Sequence, residues 1–130
     1  MTAARTLTAD DLLAIGEAEL GRTIEADDDR LKACVHEPMR EEGGRDVYPG
    51  IHVKAAALCM AIVRSKPFER GNGRVALLAT SVFLNLNGVD LVDADDDLVA
   101  LIAVAAAGDL SVLQVASVIE SLSGPLRSSG

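Results

Sequence analysis

Two apolar runs of helical period, held apart by a short polar segment with paired glycines, constrain this chain more than anything else in it. The first runs from Ile51 to Val63 and the second from Val75 to Leu86. In the second, Val75, Leu78, Ala79, Val82, Phe83 and Leu86 recur at three- and four-residue steps, which predicts a helix from Asn72 to Asn87 with one broad apolar face. The first is rich in alanine, at Ala55, Ala56, Ala57 and Ala61. It predicts a helix from Ile51 to Arg64 buried on most sides, because small side chains let neighbouring helices approach closely. Between them, Ser65-Lys66-Pro67-Phe68-Glu69-Arg70-Gly71-Asn72-Gly73-Arg74 reads as a loop. Pro67 stops the first helix, and Asn72 between two glycines is the expected cap of the second.

The rest of the chain reads as more helix. Thr8 with Asp10 and Asp11 opens a helix that Gly21 ends, and Asp27 to Asp29 opens a shorter one stopped by Pro38. Glu41 to Gly50 is polar and glycine-rich, and predicts a loop or small hairpin. Beyond Gly88, the acidic run Asp93 to Asp97 precedes Leu98 to Ile102. It lacks the glycine and terminal glutamate of a calcium loop and reads as the acidic first turn of a fifth helix ending at Gly108. Asp109 and Ser111 open a sixth, with Val112, Val115, Ile119 and Leu122 inward. The fold class expected is all-α, about six helices with a small hairpin, in a single domain over 1–130 whose ends, 1–6 and 124–130, are loose. Tyr48, Phe68 and Phe83 are the only aromatic residues, so the core must be aliphatic. Cys34 and Cys59 sit in apolar helical contexts without metal-ligand spacing, and read as buried, reduced thiols of a cytoplasmic protein. No run is clean and long enough to span a bilayer.

A net charge of −8 speaks against nucleic acid as a partner. The charge is unevenly spread. Lys54, Arg64, Lys66, Arg70 and Arg74 face the single acid Glu69 between Ile51 and Arg74. A basic segment on an acidic chain, ending at a helix start whose N–H groups lack intrahelical partners, suits a small anion such as phosphate.

The loop resembles the signature of the Fic/Doc proteins, His-Pro-Phe-x-(Asp/Glu)-Gly-Asn-(Gly/Lys)-Arg. Pro67, Phe68, Gly71, Asn72, Gly73 and Arg74 match in register, while Lys66 stands at the family's catalytic His and Arg70 at its magnesium-binding acid. The resemblance extends from Leu7 to Ser123, and the chain's size is like that of Doc, the death-on-curing toxins, rather than of larger Fic enzymes. It implies the Fic/Doc helical fold. It also implies a nucleotide site, for ATP or another nucleotide, at Phe68, Gly71, Asn72, Gly73 and Arg74. A flap at Gly43, Gly44, Val47 and Tyr48 would align a protein substrate beside the loop, and an antitoxin protein is the implied partner. Gly73 is the choice of members that transfer AMP, where Doc carries Lys.

The two departures bear on chemistry. A lysine ammonium holds its proton at neutral pH unless burial or neighbouring positive charge depresses it, so it replaces a histidine base poorly. His52 lies on the order of 20 Å from Lys66 along the helix and cannot stand in for it. Arg70 in place of the acid removes a magnesium ligand, so no metal is expected at the loop, although a guanidinium can neutralise phosphate directly. Three readings follow: a nucleotide-binding protein with weak or absent transfer of AMP or phosphate, an active transferase with a non-standard base, and a non-catalytic partner of an antitoxin-like peptide.

Overall fold

The computed structural model describes residues 4–92 and 95–126. Among these residues six helices are present: α1 (Ala9–Leu20), α2 (Asp28–His36), α3 (Ile51–Ser65), α4 (Asn72–Leu86), α5 (Asp95–Ala106) and α6 (Val112–Ser121). A 3-10 turn, Glu37–Met39, extends α2, and two short antiparallel strands, β1 (Glu41–Glu42) and β2 (Arg45–Asp46), form a hairpin before α3. The chain is therefore all-α with one small hairpin, as its patterning predicts.

Local signals explain the helix starts. Thr8 and Ser111 form reciprocal capping boxes with Asp11 and Gln114, and the Asp27 carboxylate accepts from the Arg30 N–H. Gly88, in the left-handed region at φ 83°, follows α4 as the expected terminator. Of the acidic run, Asp93 and the neighbouring Ala94 lie outside the described residues, and α5 begins at Asp95.

The alanine-rich helix α3 is the axis of the fold. Ala55, Ala56, Leu58, Cys59 and Ile62 are all 0% exposed, and α2, α4, α5, α6 and the 3-10 turn rest on it. In α4 the apolar stripe divides. Val75, Ala79 and Phe83 are fully buried, whereas Leu78, Val82 and Leu86 are 37–40% exposed. α1 packs on α2 and α4. It runs antiparallel to α4: Glu19 pairs with Arg74 at one end, and at the other the Asn87 amide exchanges two hydrogen bonds with the Arg5 backbone. Arg5 and Thr6, expected to be loose, are held, Thr6 by the Val35 carbonyl. At the far end Gly124 donates to Asp90 O at 2.7 Å, and residues 127–130 lie outside the described set. Both cysteines are buried free thiols, and burial pushes Cys59 up to about 11. Among the described residues no helix is long and apolar enough to cross a membrane.

One contact ties the loop after α3 to this frame. Phe68 is 2% exposed, and its ring lies directly on Gly16 of α1, where an added Cβ would overlap ring carbons. Gly16→Ala is therefore expected to lower stability by about 1–3 kcal/mol, the range for overpacking a filled interior, although Ala is ordinarily the better helix former. Denaturant unfolding checks this, and an unchanged or raised midpoint refutes it.

Candidate functional site

The loop begins where α3 stops. Proline disfavours the helical region for the residue before it, so Lys66 cannot continue the helix into Pro67. Instead it turns into the left-handed region at φ 51°, ψ 65°, the only described non-glycine residue with positive φ, and its N–H caps Ile62 O at 3.0 Å. For a residue with a Cβ this conformation is strained by roughly 1–3 kcal/mol. The turn leaves Lys66 exposed, and among the described residues it makes no ion pair.

The next residues are stitched to the α1–α2 connection. Asp27 N donates to Pro67 O at 2.7 Å and Glu69 N to Glu25 O at 3.1 Å, an isolated antiparallel bridge centred on Ala26 and Phe68. Phe68 contributes a buried ring and a clamped backbone. The Asn72 side chain accepts from Phe68 N at 3.0 Å and donates to Phe68 O at 2.9 Å. This overturns its expected role as the cap of α4: Gly71 is the N-cap, and Asn72, first residue of the helix, reaches back to lock the loop. A carboxamide has both a donor and an acceptor, so it can satisfy the two backbone groups of one residue at once.

The consequence is an uncapped helix start. Gly71 has no side chain to offer, and Val75 N is the first to bond back, to Gly71 O at 3.1 Å. The N–H groups of Asn72, Gly73 and Arg74 have no acceptor among the described residues. Gly71 is required twice over: its φ is 73°, and a Cβ there would overlap the Leu20 side chain. At Gly73 a Cβ would come within 3.3 Å of Ile102 Cγ2, so close helix packing also limits that position.

The charged side chains around the loop are largely occupied. Arg74 pairs with Glu19 of α1, and Arg70 turns toward the C-terminal end of α1, with Nη2 3.4 Å from Leu20 O. An open cleft of about 500 Å³ beside the loop is lined by Lys66, Pro67, Phe68, Glu69 and Asn72 on one side and Glu25, Ala26, Asp27 and Arg30 on the other. Arg30 pairs with Asp27 and reaches Lys66 O at 3.5 Å. The basic segment seen in the sequence is thus dispersed: Arg74 is paired with an acid of α1, while Lys66 and Arg70 make no ion pair among the described residues. Arg64 leaves the site altogether to donate to Leu110 O at 3.1 Å. Arg70 is turned away from the loop, and among the described residues no three His, Cys, Asp or Glu side chains are grouped to hold a metal.

The hairpin is docked by a residue that counts in the sequence only as a charge. Lys54, 4% exposed, sends its ammonium to Tyr48 O at 2.7 Å, Asp46 Oδ2 at 3.2 Å and Pro38 O at 3.4 Å. A buried ammonium is tolerable only with such partners, and a hairpin of two-residue strands cannot stand without a support. The signal was present: a lone lysine between Val53 and Ala55 inside an apolar run. Of the flap residues, Gly43 and Gly44 form the turn at φ 58° and 75°, Val47 N bonds Arg40 O at 3.0 Å, and Tyr48 donates its hydroxyl to Glu37 Oε1 at 2.6 Å.

A family model described as the Fic/DOC family matches residues 5–84. Toxin Doc of Mycolicibacterium smegmatis (strain ATCC 700084 / mc(2)155) is 35% identical over 103 residues, which cover 75% of this chain and 79% of that protein.

The hydrogen bond to Glu37, helped by partial burial, raises the Tyr48 phenol above the ordinary tyrosine range. Tyr48 is the sole tyrosine and the chain has no tryptophan, so phenolate absorbance reports it alone. The titration midpoint is expected above the reference of about 10 and should fall toward it in Glu37→Gln. Because the folded value is the higher one, this interaction stabilises the fold fully below the ordinary tyrosine pKa and is lost as pH rises through the folded value. A midpoint at or below the reference in the native chain would refute the bond.

Proposed function

The chain belongs to the Fic/DOC family, and from that membership we propose that it is a Doc-like protein of a toxin–antitoxin type system, holding the phosphate end of a nucleotide at its 66–74 loop. Transfer of AMP or phosphate to a protein hydroxyl is weak or absent. The ligand is ATP or another nucleotide, the partner is an antitoxin protein, and the compartment is the cytoplasm, consistent with two free buried thiols.

The observation that carries this reading is the uncapped start of α4. Asn72 commits its side chain to Phe68, so three successive N–H groups remain open at the positive end of a helix of 15 residues. Partly exposed Gly71 and Gly73 leave the backbone approachable. Arg74 is the side chain within the same turn, and a phosphate would exchange with Glu19 for its guanidinium. The limits on catalysis come from the same residues: Lys66 stands where the family's base belongs, and Arg70 faces Leu20 O where a metal ligand belongs. A second reading, a non-catalytic partner of an antitoxin-like peptide, is favoured by one observation, the Arg74–Glu19 pair, which occupies the guanidinium that phosphate needs.

Calorimetry with ATP at low salt separates the two. Binding is expected to weaken with added salt, and by at least about fivefold in Arg74→Ala, the scale of one charge-assisted hydrogen bond. Glu19→Gln, which frees Arg74, should tighten it. No binding at millimolar ATP by either the native chain or Glu19→Gln would overturn the nucleotide reading in favour of the second. For transfer, labelled ATP with a cell lysate should give little modification by the native chain. Lys66→His with Arg70→Asp should give more than either change alone, because base and metal ligand act as a unit.

A further inference from the structure

A second concavity lies beside the last turns of α3. It measures about 280 Å³ and shares no lining residue with the cleft at the loop. Small residues line it, Ala33 of α2 and Ala57 and Ala61 of α3, together with Met60 and Val112. Helices that meet through alanine on both sides leave room that larger aliphatic residues would fill. An apolar hollow of this kind gains little from water, since its walls offer few hydrogen bonds.

The polar groups at its mouth are not equivalent. Glu37 is the only acid there, and its Oε1 already takes the Tyr48 hydroxyl at 2.6 Å and Arg40 Nη1 at 2.8 Å, so its charge is matched. The Ser65 hydroxyl gives its proton to Ala61 O at 2.6 Å, which makes the Cys34 thiol the donor in the 3.1 Å contact between them. Arg64 is different. It donates only to Leu110 O, makes no ion pair among the described residues, and is exposed. One guanidinium without a counter-charge therefore stands over an apolar hollow.

We propose that this pocket binds a small apolar monocarboxylate, its hydrocarbon body against the three alanines and its carboxylate on Arg64. A planar guanidinium with free N–H groups matches a carboxylate in shape and charge. The hollow lies at the small end of the range for ligand sites, which limits the body to about the size of one aromatic ring and a short chain. The site is independent of the nucleotide reading, and each can fail without the other.

The test uses three ligands of one shape, phenylpropionate, phenylpropanol and phenylpropylamine, titrated into the full chain and followed by calorimetry and by methyl shifts of Met60 and Val112. The acid is expected to bind saturably and more tightly than the alcohol, and the amine least. Arg64→Gln keeps a donor toward Leu110 and should cut the acid's affinity roughly tenfold, to that of the alcohol. Ala33→Leu, made at an exposed position, fills the hollow and should abolish binding of all three. Saturating ATP should displace none of them. The proposal is overturned if the acid shows no saturable binding, if acid and amine bind alike, if Ala33→Leu binds as the native chain does, or if ATP competes.

Discussion

A helix surrounded on every side can be built only from side chains that its neighbours have room for. α3 meets that constraint with alanines and a cysteine among its fully buried positions, beside Leu58 and Ile62. Four other helices and the 3-10 turn find their positions by resting on it. Such an axis requires that its ends be tied down by something other than packing. At one end Lys54 gathers Pro38, Asp46 and Tyr48 around a single buried ammonium. At the other, Lys66 turns left-handed and hands the chain to a loop fixed by Phe68 and Asn72.

The loop is at once a structural joint and a binding edge, and individual residues divide the two tasks. Phe68 is an anchor: its ring is buried on α1 and its backbone is claimed by Asn72. Asn72 serves both sides, because the amide it gives to Phe68 is the amide that does not cap α4. Had it capped the helix, the loop would have lost its clasp and the helix end its open N–H groups. Gly71 makes the arrangement possible by accepting a positive φ beside Leu20.

Much of the fold was legible in the sequence because its signals are local. Thr8, Asp27 and Ser111 announce helix starts through bonds made within three residues, and the run from Ile51 to Val63 announces a buried helix by composition alone. The charge around the site was not legible. Along the chain, Lys66, Arg70 and Arg74 look like an uncompensated cluster. In space, Glu19, Glu25 and Asp27 are folded in from a segment some fifty residues earlier. The direction of Asn72 was hidden for a related reason: the residue type fits both a cap and a clasp, and the buried Phe68 backbone decides between them. The exposure of Leu78, Val82 and Leu86 was also beyond reach, since periodicity gives the width of an apolar face but not how much of it the neighbours cover.

The contact between Phe68 and Gly16 also reaches into how this sequence can drift. The two positions form one volume shared between distant parts of the chain, so substitutions at them are not independent. A side chain at position 16 becomes acceptable only after the ring at 68 has shrunk, and a smaller residue at 68 leaves a void that a side chain at 16 would then fill. The permitted route between homologous sequences therefore passes through paired replacement. A glycine in the middle of a helix, which lowers helix stability on its own account, is retained for as long as its partner stays aromatic.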